Sequence, residues 1–177
     1  FLKNYDSMQS QFHAATSDQE RQSVMTYTDS MAYMSLNKAL REGTAIPDDL
    51  HQVQRDLDAT IARTRLPNAM ELGRAATGRR AFEHYAQFNV GDVYSDKAYV
   101  STSADPDYVK ASTARQEVHL KIQAPAGTPG IPAFAGTDTS HEREILLGRN
   151  TKFRVLDKSV QEVPHSMGGT QQRLVIT

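Results

Sequence analysis

The sequence predicts an α+β fold. Apolar residues recur at helical spacing through residues 1–65, whereas residues 66–177 shift to the two-residue alternation of strands. Helices first and strands later argue against alternating βαβ units, which would interleave the two periods. There is no internal repeat, low-complexity tract or linker-like stretch. One domain over 1–177 is the simplest organisation, with a mainly helical part at 1–65 and a mainly β core at 66–177.

Each element has a local cause. Ser17-Asp18-Gln19-Glu20 reads as a capping box, in which the Ser and Glu side chains satisfy two orphan amides at a helix start. Thr28-Asp29 is expected to cap the next helix. Its row of Ala32, Leu36 and Leu40, with Met31 and Met34 beside it, stops at Gly43. Pro47 sits where a first helical turn tolerates it, and Leu50, Val53, Leu57 and Ile61 then recur on one face. Val118, Leu120 and Ile122 alternate with Glu117, His119 and Lys121, as in a half-buried strand. Residues 144–147, 153–156 and 173–176 read as further strands, and Gly127-Thr128-Pro129-Gly130 as a turn.

A chain of 177 residues, 38% of them hydrophobic, can bury a sizeable core. Its net charge of −1 argues against nucleic acid or anionic lipid as a partner. No apolar run reaches the roughly 18 residues of a membrane helix, so no membrane association is expected. The lack of cysteine excludes disulfides, thiolate metal sites and cysteine nucleophiles, and also suits a protein that crosses membranes unfolded. The first residue is Phe1 rather than Met and no signal peptide is visible, which reads as a domain cut from a longer protein or as a processed form. There is no phosphate loop, dinucleotide fingerprint or His-Glu-x-x-His. His141 and Glu142, adjacent on a strand, would point to opposite faces, so no metal site is expected, and all six histidines read as structural or surface residues.

Chemistry is suggested by Glu142-Arg143-Glu144, which runs directly into Ile145-Leu146-Leu147. On an extended strand residues two apart share a face, so the two carboxylates would stand side by side. Like charges in one cleft are costly unless a cation or a positively charged transition state uses them. Upstream lie Ser101-Thr102-Ser103 and, further back, Leu72-Gly73-Arg74. Taken singly each has a bland reading: a solvated strand edge, ordinary strand residues and a surface ion pair.

In this order, however, the motifs resemble those of the arginine-type ADP-ribosyltransferase toxins, the family that includes iota toxin and related bacterial exoenzymes. Its pattern is an arginine on an early strand, then a Ser-Thr-Ser strand, then Glu-x-Glu on a later strand. The flanks are similar too: Tyr27-Thr28-Asp29-Ser30-Met31-Ala32-Tyr33 with Asn37 and Leu40-Arg41, Gly91-Asp92-Val93 ahead of Tyr99-Val100, and Gln123-Ala124-Pro125-Ala126-Gly127. The resemblance covers residues 20–177. It implies the fold of that family, with N-terminal helices packed on a split two-sheet β core around an NAD cleft.

It also implies roles. NAD would be the co-substrate, cleaved between nicotinamide and ribose, with ADP-ribose passing to an arginine of a protein target. Glu144 would hold the ribose hydroxyl and stabilise an oxocarbenium-like transition state. Glu142 would position and help deprotonate the acceptor guanidinium, Arg74 would clamp the pyrophosphate, and the Ser101 hydroxyl would orient Glu144 or the cleft. Further NAD contacts fall on Gly73, Ala75, Thr102, Ser103, Tyr33, Asn37 and Arg115, with Thr102 pointing away from Ser101 to hold the strand in place. Such a domain would be a secreted or translocated bacterial toxin or effector acting in the cytosol of a target cell, accompanied by a delivery domain or a cognate immunity protein. An NAD glycohydrolase, a non-arginine or nucleic-acid acceptor, and a catalytically silent partner-binding domain are the alternatives. The chain departs from the family where Gly73 and Ala75 flank the arginine, where Thr139 replaces an aromatic ahead of Glu142, and where 105–115 lacks the phenylalanine that can stack on nicotinamide, Tyr108 being the aromatic residue there.

Overall fold

The computed structural model describes residues 2–29, 31–105, 107–109, 118–133, 143–165 and 168–177. Four helices come first: α1 (Leu2–Ala15), α2 (Asp18–Asp29), α3 (Ala32–Glu42) and α4 (His51–Arg63). The capping box forms as its spacing predicts. The Ser17 amide donates to Glu20 Oε2 at 2.9 Å and the Glu20 amide donates to Ser17 Oγ at 3.2 Å. Thr28 does not cap α3. Because α2 runs on through Asp29, Thr28 is already helical, and its hydroxyl turns back to the Val24 carbonyl at 3.1 Å. Met31 stands at the head of α3 instead, with no side-chain cap. Gly43 ends α3 at φ 68°, the left-handed conformation that a Cβ opposes. After a short 3-10 helix at Asp48–Leu50, α4 buries Val53, Leu57 and Ile61.

The remaining elements are β1 (Met70–Ala76), α5 (Arg79–Ala86), β2 (Val93–Ser95), β3 (Val100–Ser103), β4 (Val118–Ala124), β5 (Gly130–Pro132), β6 (Glu144–Leu147), β7 (Lys152–Arg154), β8 (Lys158–Pro164) and β9 (Thr170–Ile176). Among the described residues they form a seven-stranded mixed sheet, ordered β5-β6-β3-β1-β4-β9-β8, and a two-stranded ladder of β2 and β7. Among the described strands only β4 and β9 pair in parallel. The large sheet is nearly divided. β1 registers with β4 along all seven of its residues, yet meets β3 at Gly73 opposite Ser103. The expected split core thus takes the form of β5-β6-β3 on one side and β1-β4-β9-β8 on the other, diverging between Arg74 and Ser101.

Three apolar clusters fix these halves. Phe12, Val24, Leu36, Leu57, Tyr99 and Leu146 tie the helices to the β3–β6 half. Tyr5, Met8, Leu72, Val100, Ile145 and Leu147 fill the opposite face of the same strands. Tyr85 of α5 packs with Val118, Leu120, Val155, Leu174 and Ile176 against the other half. Complete burial of a side chain such as Leu57 or Leu146 contributes about 1.5–3 kcal/mol.

Candidate active site

The divergence of the sheet opens a cleft of about 900 Å³, walled by α2 and α3 and floored by Arg74, Tyr99, Ser101 and Glu144. Its size is that of a pocket for a drug-sized ligand, roughly 300–1,000 Å³. Each floor residue is placed by its strand. Ser103 registers with Glu144 and Ser101 with Leu146, so strict alternation brings Ser101 and Glu144 to one face of neighbouring strands. There the Ser101 hydroxyl donates a short hydrogen bond to Glu144 Oε1. Such a bond fixes the carboxylate's direction.

Arg74 sits in the gap between the two halves. Its Nη1 donates to the Ser101 carbonyl at 2.7 Å. Its Nε is buried, and among the described residues nothing accepts a hydrogen bond from it. A buried donor without an acceptor is costly, which suits a site that receives an anion. Tyr85 stands against this guanidinium. Burial pushes the Tyr85 phenol up, and the nearby charges of Arg74 and Arg41 partly offset that push. Arg41 and Arg74 both line the cleft, so it offers two guanidinium groups, with the Lys38 ammonium and the carboxylates of Glu42 and Glu144 on the same lining.

The helical wall is built from Tyr27, Tyr33 and Asn37. Tyr33 is 42% exposed at the cleft mouth, edge-on to Tyr27. Asn37 is buried rather than a helix-surface residue. Its Nδ2 donates to Tyr27 Oη at 2.7 Å and its Oδ1 accepts from the Tyr99 amide at 3.2 Å. One side chain therefore locks α2, α3 and the approach to β3 together. Burial, and then the nearby Glu144 charge, raise the Tyr27 phenol well above its ordinary value, so it stays protonated. Arg41 was not assigned a role from the sequence. It lies four residues after Asn37 on the same helical face, and that spacing was the available signal. Asp96 grips it in bidentate fashion, accepting from Nε at 3.0 Å and Nη2 at 2.9 Å.

Several of the expected contact residues lie away from this cleft. Thr102 is 3% exposed, and its hydroxyl donates to the Ile145 carbonyl at 2.6 Å, so it holds β3 to β6 and faces away from the cleft. The space above the Gly73 Cα is occupied by Val109, not open to a ligand. Ser103 Oγ accepts from the Asp105 amide at 2.9 Å and serves the turn after β3. Ala75 faces His119 across β1 and β4 and, like Gly73, Thr102 and Ser103, does not line the cleft among the described residues. Strand alternation does not run back through Arg143. β6 starts at Glu144, and Arg143 is left-handed at φ 43° instead of extended. Glu142 and Arg115 themselves lie outside the described residues.

This geometry coincides with a family assignment. Residues 2–177 match the model of the ADP-ribosyltransferase exoenzyme family. The chain belongs to that family. Secreted exoenzyme S of Pseudomonas aeruginosa is 29% identical over 140 residues, covering 79% of this chain and 29% of that protein. The chain thus spans under a third of the curated relative's length. Among solved structures, the enzymatic component C2-I of the Clostridium botulinum C2 toxin superposes with a TM-score of 0.75 at 16% identity, over 98% of this chain and 45% of that one. Pseudomonas aeruginosa exoenzyme S, in complex with human 14-3-3 protein beta and bound to carba-NAD, gives a TM-score of 0.69 at 21% identity, over 99% of this chain and 82% of that one. Both likenesses are of fold, and the family shares the mixed α+β architecture seen here.

Proposed function

We propose that residues 1–177 act as one catalytic domain that transfers ADP-ribose from NAD to an arginine of a protein target. The observation carrying this is the cleft in which the Ser101 hydroxyl grips the Glu144 carboxylate beside a buried Arg74 Nε that has no acceptor among the described residues. That donor set fits NAD: cations for the pyrophosphate, aromatic walls for the ring systems and a carboxylate for the ribose. NAD supplies the group transferred. The bond from ribose C1′ to the nicotinamide nitrogen breaks, its electron pair leaves with neutral nicotinamide, and a guanidinium nitrogen bonds to C1′ as it gives up a proton.

The chain's own residues divide this work. Glu144 accepts a hydrogen bond from the ribose hydroxyl and stabilises the positive charge that develops at C1′. Ser101 holds that carboxylate in one orientation. Arg74, seconded by Arg41 in the clamp of Asp96, binds the pyrophosphate oxygens. Tyr33 at the mouth contributes a ring face. Glu142, two residues before Glu144, takes the acceptor's proton. A protonated guanidinium has no free lone pair and cannot attack without such a base. The same reading makes the protein a secreted or translocated bacterial effector acting in the cytosol of a target cell, in keeping with the description of exoenzyme S as secreted.

The test is mass spectrometry of a lysate incubated with the protein and NAD. The expected result is ADP-ribose on arginine side chains of one or a few proteins. Adducts confined to other residues or to nucleic acid, or NAD consumed with no adduct, would overturn the arginine assignment.

A further inference from the structure

Arg143, the residue between the two glutamates, has no part in the chemistry just described, yet its surroundings are unusual. It adopts φ 43°, a left-handed conformation that residues bearing a Cβ rarely take. Such conformations persist where the surrounding structure over-determines them. Here two contacts do so. The Arg143 carbonyl accepts from the Ala104 amide at 3.1 Å, and Arg143 Nη1 lies 3.2 Å from Asp105 Oδ2. The pair is well shielded, with side-chain exposures of 30% for Arg143 and 18% for Asp105. Screening is therefore weaker than at a fully exposed ion pair.

Asp105 does more than receive this charge. Its Oδ1 accepts from the amides of Asp107 at 2.9 Å and Tyr108 at 3.3 Å, and its carbonyl accepts from the Val109 amide at 3.1 Å. Its own amide donates to Ser103 Oγ at 2.9 Å. The turn so built sets Val109 over Gly73, where an added Cβ would come within 2.4 Å of a valine methyl carbon. One ion pair thus connects β6 at Glu144, β3 at Ser103 and β1 beside Arg74. It also sits at the residue through which β6 leads to Glu142.

We infer that the Arg143–Asp105 ion pair is a positioning latch, which fixes the residue ahead of Glu144 against the turn after β3 and so sets Glu142 relative to Glu144. This rests on the function proposed above and deepens it. Glu144 is held independently by Ser101 and by the β3–β6 ladder. Losing the latch should therefore impair delivery of the acceptor's proton to Glu142 more than cleavage of NAD.

The experiment is a double-mutant cycle on the whole chain with Arg143→Gln, Asp105→Asn and both together. Each protein is assayed for nicotinamide release in water and for ADP-ribosylation of agmatine, a small guanidine. Thermal unfolding is followed in parallel. A latch predicts that each single variant loses tenfold or more of kcat for agmatine and under threefold of nicotinamide release. The double variant should be no worse than either single, and the unfolding midpoints should be equally non-additive. The exchanged pair Asp105→Arg/Arg143→Asp should recover part of the agmatine rate. Arg143→Gly, which eases the left-handed backbone while removing the charge, should behave like Arg143→Gln. Additive losses, proportionate loss of both activities, or full transfer by the single variants would overturn the latch. If agmatine is not modified by the unaltered protein while nicotinamide is released, the arginine reading fails, and the unfolding cycle alone decides whether the pair is coupled.

Discussion

At Gly73 the chain has no room for a methyl group. A Cβ built there would lie 2.4 and 2.6 Å from the two Val109 methyl carbons, and valine is too stiff at χ1 to swing clear. Gly73→Ala should cost about 1–3 kcal/mol, the usual penalty of overpacking. Urea unfolding would measure it, and combining it with Val109→Ala should recover most of the loss, since residues in contact do not add. A glycine beside Arg74 therefore reads as a packing requirement. At this scale the meeting of Arg74, Ser101 and Glu144 in one cleft was legible in the sequence, because residue type and motif order carried it. The commitment of Asn37 to Tyr27 and the Tyr99 amide was not. Its partners are 10 and 62 residues away and meet only through tertiary packing.

Among the elements, α2 is anchored at its start by a group with two tasks. Glu20 completes the capping box and also accepts from Arg63 Nη2 of α4 at 2.8 Å. Burial by itself would raise its pKa, but the Ser17 amide and the Arg63 guanidinium outweigh that and hold it below the ordinary value of 4.5. A carboxylate with a depressed folded pKa stabilises the fold above its unfolded pKa, and that contribution is lost as pH falls through the folded value. Glu20→Gln should therefore lower the melting temperature at pH 7, and the gap to the unaltered protein should close as pH drops below about 4.5. A gap unchanged at pH 3 would contradict this. The capping box could be read from four consecutive residues, whereas the Arg63 contact spans 43 positions. The elements that escaped the sequence have similar causes. α5 has only eight residues, and its apolar positions, Ala81, Phe82, Tyr85 and Ala86, are interleaved with charge. β8 is an edge strand with little buried surface, held by its seven-residue ladder with β9. Periodicity cannot reveal a strand that depends on hydrogen bonds more than on burial.

For the molecule as a whole, the decisive feature is that one sheet comes apart. β1 and β3 part beyond Gly73 and Ser103, Arg74 enters the gap, and α2 and α3 close the far wall. The order of the motifs along the chain announced the components of this cleft. Its second guanidinium, Arg41 held by Asp96, and the left-handed Arg143 appear only when the chain is folded. In the function proposed here Glu144, oriented by Ser101 in the cleft that Arg74 also lines, promotes cleavage of NAD and transfer of ADP-ribose. The most direct measurement is transfer of label from radiolabelled NAD to lysate protein by the unaltered chain and by Glu144→Ala, with circular dichroism confirming that both are folded. Labelled protein is expected with the unaltered chain and at least a hundredfold less with Glu144→Ala, the scale seen on removing one preorganised transition-state contact, about 10²–10³. Transfer by folded Glu144→Ala at the original rate would contradict it.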